Sequence, residues 1–239
     1  TGHMGVTAEN VAAEHQITRE DQDGFALQSQ ERAAAAQADG RFASQITPVE
    51  VRIKRDTVPF EADEHPKATT MEALGGLRPV FQKGGTVTAG NASGINDGAG
   101  ALVLAAADAA EAAGLKPKAR ILGYAHAGVR PEVMGIGPVP AVRKLLERTG
   151  LSAADFDVIE SNEAFAAQAL AVSKELGLDP ARVNPNGGAI ALGHPVGATG
   201  AIITIKALYE LERIQGKRAL VTMCIGGGQG IALAFERLA

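Results

Sequence analysis

The feature that most constrains the fold is a regular alternation of strand-like and helix-like segments after residue 119. Short apolar runs alternate with longer segments whose apolar residues recur every three or four positions. The predicted strands are Ile121–Tyr124, Asp157–Ser161, Val183–Asn184, Arg218–Cys224 and Gly230–Arg237, and the predicted helices are Val139–Arg148, Glu163–Leu176 and Ala201–Arg213. The order βαβαβαββ predicts an α/β layered fold with helices on the faces of the sheet.

The preceding part of the chain is less regular. Residues 7–37 predict two helices, the second capped by Thr18 ahead of acidic first-turn residues. The alternating run 46–54 predicts a strand, and the prolines within 56–79 predict an irregular loop. Asn96 and Asp97 are expected to cap a helix rich in Ala and Gly, and residues 101–105 to form a short buried strand.

Composition excludes several classes of partner. Aromatic residues make up 4% of the chain and the net charge is −4, so neither a nucleic-acid platform nor an anionic membrane is an expected partner. The single cysteine excludes an intrachain disulfide and fits a reducing compartment. The sequence contains no apolar run of about 18 residues and no pattern typical of a secretory signal, which favours a cytoplasmic location.

The stretch from Asn184 to Gly200 places His194 among glycines, just ahead of a predicted helix. Glycine is costly in conformational entropy, and this number of glycines favours a functional loop over a simple turn. An imidazole with a reference pKa near 6.5 serves as acid, base or hydrogen-bond donor near neutral pH. The alternative interpretation is a structural histidine that is hydrogen-bonded to the backbone.

Two further loops follow predicted strands, where sites of open α/β sheets collect. Asn162 and Glu163 precede a helix, and the alternative to a functional role is an N-cap followed by a first-turn acid. Cys224 precedes a glycine run, and its two interpretations are proton transfer or a small buried apolar side chain. The glycine run joins two strands, which argues against dinucleotide binding. The histidines and the cysteine lack the spacing of metal ligands, and a Gly-x-Ser-x-Gly hydrolase motif is absent from the sequence.

Three motifs in this order resemble those of the thiolases: Asn162-Glu-Ala-Phe-Ala, the run Gly187–Gly200, and Cys224-Ile-Gly-Gly-Gly. The resemblance is to acetyl-CoA acetyltransferases and 3-ketoacyl-CoA thiolases. It implies a thiolase-like fold and an acyltransferase that condenses acetyl-CoA with a second acetyl-CoA or another acyl-CoA. The reverse reaction cleaves the 3-ketoacyl-CoA with coenzyme A. Coenzyme A is then a substrate or product, and neither a metal nor a separate cofactor is implied.

The resemblance also implies a role for each matching residue. His194 activates a nucleophilic cysteine and helps to hold the thioester oxygen, and Asn162 positions a water in that oxyanion hole. Cys224 exchanges a proton with the α-carbon of acetyl-CoA, and the Gly226 amide contributes to a second oxyanion hole. The residues that match the lining of the pantetheine and acyl tunnel are His3, Met4, Phe81, Ser93, Met134 and Phe165.

The sequence departs from the family in one respect: it contains no Cys-Gly-Ser-type motif for the acyl-accepting cysteine. We therefore expect a chain that lacks the N-terminal nucleophilic-cysteine half. Residues 1–94 would be a partial α+β CoA-binding loop domain, 95–116 a remnant completing the N-terminal half, and 117–239 the C-terminal half. The expected partner is an N-terminal thiolase chain or fragment, and the assembled enzyme is expected to be a dimer or tetramer.

Two alternatives remain. The first is a non-catalytic thiolase-like subunit that binds acyl-CoA, which predicts loss of catalytic residues. The second is a decarboxylating ketoacyl synthase, a class that commonly has histidine at the position of Asn162.

Overall fold

Two helices and a hairpin dominate the first part of the chain in the computed structural model, which describes residues 2–238. The elements are α1 (Met4–His15), α2 (Arg19–Ala38), β1 (Val49–Ile53), β2 (Asp56–Phe60), α3 (Met71–Gly75) and α4 (Ala107–Ala112). Helix α2 begins as predicted, because Thr18 Oγ1 accepts from Asp21 N at 3.1 Å while the Asp21 carboxylate accepts from Thr18 N at 2.9 Å. Residues 56–79 are not irregular throughout, since β2 pairs with β1 and α3 follows.

The regular part of the chain folds around a four-stranded sheet. Its elements are β3 (Ala119–Gly128), α5 (Pro138–Thr149), β4 (Val158–Ser161), α6 (Ala166–Leu176), α7 (Ala189–Leu192), α8 (Thr199–Ile214), β5 (Arg218–Ile225) and β6 (Gln229–Arg237), with short 3₁₀ turns at Pro131–Ile136 and Ala153–Asp155. The strand order is β3-β6-β5-β4, and only β4 and β5 are parallel.

Helices cover both faces of this sheet. Successive strand residues point to opposite sides, and in β5 apolar side chains lie on both sides. In β5, Leu220 packs with Leu145 of α5 on one face, whereas Val221 packs with Leu211 of α8 on the other. All four side chains are buried. The expected layered α/β arrangement is therefore confirmed.

Two sequence expectations about strands are wrong. Val183 forms an isolated bridge with Ile159, and no strand continues, because Asn184 adopts a left-handed φ of 46°. The predicted order βαβαβαββ therefore loses its third strand. Residues 101–105 form no strand with any described residue, and Val103 is 92% exposed. The helix expected after Asn96 and Asp97 is absent there, since α4 begins at Ala107. Among residues 2–238, no helix is long and apolar enough to cross a membrane.

Candidate active site

The carboxyl ends of β4 and β5 bring two of the predicted catalytic residues to one edge of the sheet. Ser161 of β4 pairs with Thr222 of β5, and the backbone N–H of Asn162 donates to the Thr222 carbonyl at 3.0 Å. Cys224 lies two residues further along β5. Asn162 and Cys224 are both buried. The two parallel strands therefore form the edge at which α/β sheets commonly place their sites.

The loop after α7 carries His194 to Asn162. Gly193 takes a φ of 95°, a left-handed value suited to glycine, and a side chain there would collide with Asn96. The backbone N–H of His194 donates to Asn96 Oδ1 at 3.2 Å. The ring atom Nε2 of His194 then lies 3.3 Å from Asn162 Nδ2. Asn96, expected to cap a helix, instead holds the backbone of this histidine.

The hydroxyl of Thr199 is the hydrogen-bond partner of His194 Nδ1. It lies 2.7 Å from His194 Nδ1 and 2.9 Å from the Pro195 carbonyl oxygen. The hydroxyl has one proton. If it donates to Pro195, Nδ1 must carry the imidazole proton and Nε2 is a free base. If it donates to Nδ1, Nε2 carries the proton and is a hydrogen-bond donor. Desolvation lowers the pKa of His194 below its ordinary 6.5, so the neutral imidazole predominates near pH 7.

Cys224 lies in an apolar cluster with Met134, Ala164 and Phe165. Burial raises the pKa of its thiol from 9.0 to about 11 because the thiolate would lose its solvation. The group is therefore a neutral thiol at physiological pH. A thiol in this state can donate a proton to a strongly basic carbon and requires substrate to approach before it serves as a base.

The aromatic residues predicted to line a tunnel form a contacting chain. Phe81 stacks on His3 at a centroid distance of 4.9 Å and meets Phe165 edge-on at 6.0 Å. The backbone N–H of Ser93 donates to the Ala164 carbonyl at 3.0 Å. Together with Met134 beside Cys224, five of the six predicted lining residues thus connect to the Cys224 cluster or to its neighbours.

Two predicted site residues are less closely integrated. Met4 begins α1 next to His3, with its side chain partly exposed. Gly226 lies in the turn between β5 and β6, two residues after Cys224, and is exposed. Space around its α-carbon is open, whereas a side chain at Gly228 would collide with the backbone of Val129. Gly226 therefore lies at an exposed position of the turn with open space beside it.

Helix α6 supports the site with a residue that the sequence did not single out. Gln168 Nε2 donates to the Asn162 carbonyl at 3.2 Å, and Gln168 Oε1 accepts from Phe165 N at 3.3 Å. A polar residue among the buried alanines of α6 was the available signal. The N-cap interpretation of Asn162 and Glu163 is wrong, because α6 begins only at Ala166 and Glu163 is buried.

Two family models together match almost the whole chain. The model described as "Thiolase, C-terminal domain" covers residues 115–237, more than half of the chain. The chain belongs to the thiolase family. The model described as "Thiolase, N-terminal domain" covers residues 1–108. The expectation that this thiolase lacks the N-terminal half is therefore not supported, and neither is a separate N-terminal partner chain.

The chain is also similar to individual thiolases. It is 61% identical over 238 residues to "Beta-ketothiolase BktB" of Cupriavidus necator, covering 99% of this chain and 60% of that protein. It is 60% identical over 237 residues to "Acetyl-CoA acetyltransferase" of Escherichia coli, again covering 99% and 60%. The crystal structure of the Bacillus anthracis acetyl-CoA acetyltransferase matches with a TM-score of 0.96 and 52% identity, over 98% of this chain and 60% of that one. The chain thus spans about three fifths of the length of these relatives.

Proposed function

We propose that this chain serves a thiolase reaction: condensation of acetyl-CoA with an acyl group to give a 3-ketoacyl-CoA, or cleavage of that product with coenzyme A. The relatives named acetyl-CoA acetyltransferase and beta-ketothiolase support the reaction class. The observation that carries the proposal is the 3.3 Å contact between Asn162 Nδ2 and His194 Nε2 at the sheet edge where Cys224 is buried. One acid/base group and two polar groups for an oxygen atom are what carbanion formation at a thioester requires.

In the proposed condensation, the Cys224 thiol first releases its proton to solvent, and the resulting thiolate takes a proton from the methyl group of acetyl-CoA. The electron pair of the broken C–H bond moves to the thioester oxygen as an enolate, which the Nε2–H form of His194 stabilises together with an Asn162-held water. The α-carbon then attacks an acyl thioester, forming a carbon–carbon bond and releasing a thiolate. The Gly226 amide is proposed to stabilise the tetrahedral oxyanion of that step, and His194 to donate its Nε2 proton to the released thiolate.

Condensation and cleavage need different protonation states of Cys224, and its raised pKa favours one of them. In cleavage, the neutral thiol donates its proton to the departing acetyl-CoA carbanion, a favourable transfer. In condensation, the thiol must first be ionised, which the apolar surroundings of Met134 and Phe165 oppose. The free site is thus poised in the protonation state that cleavage uses.

The covalent step needs a second thiol. The only cysteine among the 239 residues is Cys224, already assigned to proton transfer. We therefore propose that the acyl group is carried by a cysteine outside these residues. We also retain as proposals the division into a partial CoA-binding loop domain (1–94), a remnant completing the N-terminal half (95–116) and a C-terminal half (117–239), and the assembly into a dimer or tetramer. A cytoplasmic location stays a prediction.

The half-reaction of Cys224 can be tested without the second thiol. Purified residues 1–239 are incubated with acetyl-CoA in D₂O, and deuterium in its acetyl group is measured by mass spectrometry. Exchange above the rate without protein is expected, and cleavage of acetoacetyl-CoA is not, because no acyl-accepting thiol is present. Acetyl-CoA binding without exchange would favour the non-catalytic acyl-CoA-binding alternative. Cleavage of acetoacetyl-CoA by these residues alone would contradict the assignment of Cys224.

A further inference from the structure

A buried carboxylate next to Asn162 has no part in the steps above. Glu163 is 2% exposed and lies between β4 and α6. Its Oε2 accepts from Ser29 Oγ at 2.6 Å and from the backbone N–H of Ile190 at 3.2 Å. Its Oε1 accepts from Asn184 Nδ2 at 2.8 Å. All three partners are donors, an arrangement that suits an ionised carboxylate.

These three partners belong to segments that are distant in sequence. Ser29 lies on α2, Asn184 begins the glycine-rich loop, and Ile190 lies on α7, four residues before His194. Ser29 Oγ also accepts from the Gly188 N–H at 3.1 Å, so α2 and the start of α7 share this contact. The Glu163 side chain thus connects the end of β4, next to Asn162, to helix α7, which ends two residues before His194.

The surrounding backbone is shaped to admit this carboxylate. A Cβ atom at Gly188 would overlap the carboxyl group of Glu163, and one at Gly187 would lie 2.7 Å from the Ser29 carbonyl oxygen. The glycine pair is therefore required for close approach of α7 to Glu163 and α2. Burial raises the pKa of Glu163, while its three hydrogen bonds and the nearby charge of Lys206 act in the opposite direction.

We propose that Glu163 is a positioning residue that sets the distance between Asn162 and His194 by tying α7 to the end of β4. The proposal rests on the function proposed above. Its physical basis is that polar groups in an oxyanion site act only when held within a narrow range of positions. A buried acceptor with three fixed donors provides that restraint more firmly than apolar contacts alone.

The test compares Glu163→Gln with Glu9→Gln, a matched control. Glu9 is also a buried carboxylate, accepting from the backbone N–H groups of Thr86 and Val87 at 2.9 Å, but it does not contact α7 or Asn162. Gln at 163 keeps the volume but presents an NH₂ group toward donors. The first measurement is the kcat and KM of deuterium exchange into acetyl-CoA. The second is the imidazole ¹⁵N NMR spectrum of the full chain labelled at histidine. The signals that disappear in the His194→Asn variant are assigned to His194.

For Glu163→Gln, kcat should fall about 10- to 100-fold with KM within twofold, because misplacement by roughly 1 Å has effects of this size. The His194 signals should shift or broaden. Glu9→Gln should leave both unchanged at temperatures where it is folded. If Glu163→Gln lowers only the melting temperature and leaves kcat and the His194 signals as in the original chain, the proposal is wrong.

Two further comparisons test the proposal if Glu163→Gln does not fold or if the unsubstituted chain shows no exchange. If Glu163→Gln does not fold, Ser29→Ala removes a single link and should still shift the His194 signals; no shift overturns the proposal. If the unsubstituted chain shows no exchange, the proposed function fails, while the imidazole signals alone still decide whether Glu163 positions His194.

Discussion

Two largely apolar runs behave in opposite ways in this molecule. Strand β5 (Arg218–Ile225) has neighbouring strands on both edges and helices on both faces, and most of its side chains are buried. Residues 101–105 are exposed, with Leu104 at 75%. An apolar run therefore indicates that burial would be favourable, but only partners elsewhere in the fold determine whether it occurs.

Each of the two regions is connected to a residue of the candidate site. Asn96, just before the exposed run, accepts from the His194 backbone, while β5 carries Cys224. The segment that begins at Asn96 is thus held at its start by the loop that carries His194, and its residues 101–105 have no strand partners among the described residues.

The largest contrast is expected in stability. Leu220→Ala removes a fully buried side chain and should lower the free energy of unfolding by about 2–5 kcal/mol. Leu104→Ala removes one that is 75% exposed and should change it by less than about 0.5 kcal/mol. Urea denaturation followed by circular dichroism measures both. Equal losses would mean that residues 101–105 are packed in solution.

Thiol reactivity gives the next contrast. Because burial raises the pKa of Cys224 from 9.0 to about 11, its thiolate should be about 100-fold scarcer at pH 7. Alkylation by iodoacetamide should therefore be at least 100-fold slower than in the variant that combines Cys224→Ser with Ala101→Cys. The rate at Cys224 should rise about tenfold per pH unit up to pH 10, since the reactive form is the thiolate. Similar rates for the two thiols at pH 7 would contradict the buried placement.

A smaller effect is expected from the hydroxyl beside His194. Thr199→Val removes the partner of Nδ1 and should slow deuterium exchange into acetyl-CoA by about 10-fold, consistent with the loss of a buried hydrogen bond. Thr204→Val is the control, because Thr204 Oγ1 donates only to the Gly200 carbonyl in the same helix. An equal loss of rate in both variants would mean that the substitutions act by disturbing helix α8 and not through the hydrogen bond to His194 Nδ1.

The smallest effect concerns the link between the two regions. Asn96→Ala removes the acceptor for the His194 N–H and should slow exchange about fivefold, which corresponds to a hydrogen bond worth roughly 1 kcal/mol. Asn96→Asp keeps an acceptor oxygen and should retain most of the activity. If both variants match the original chain, the exposed segment does not support the site.

Much of the sheet was predictable from local patterns. A mostly apolar run marks β5, which is buried on both faces, alternating burial marks the first half of β6, and Gly150 in a left-handed conformation ends α5. The three motifs also predicted Asn162, His194 and Cys224 as site residues, which stays a prediction; of these, Asn162 and Cys224 lie at the ends of the parallel strands β4 and β5. The sequence could indicate these residues because each stands beside a strand end or a glycine cluster.

The supporting residues were not predictable, because their partners are distant along the chain. Asn96 is 98 positions from His194, and Ser29 is 134 positions from Glu163. Locally, Asn96 has the pattern of a helix cap and Glu163 that of a first-turn acid. Tertiary contacts override both preferences, as the burial of Glu163 among three donors illustrates.

The central claim is that Cys224 transfers the α-proton of acetyl-CoA beside Asn162 and His194. It is tested most directly by deuterium exchange into acetyl-CoA with the original chain, Cys224→Ser and, as a control, Val103→Ser, whose side chain is exposed. Cys224→Ser should slow exchange by about 10²- to 10⁴-fold, the range for loss of a general acid/base, while Val103→Ser matches the original chain. Exchange by Cys224→Ser at the original rate would contradict the account.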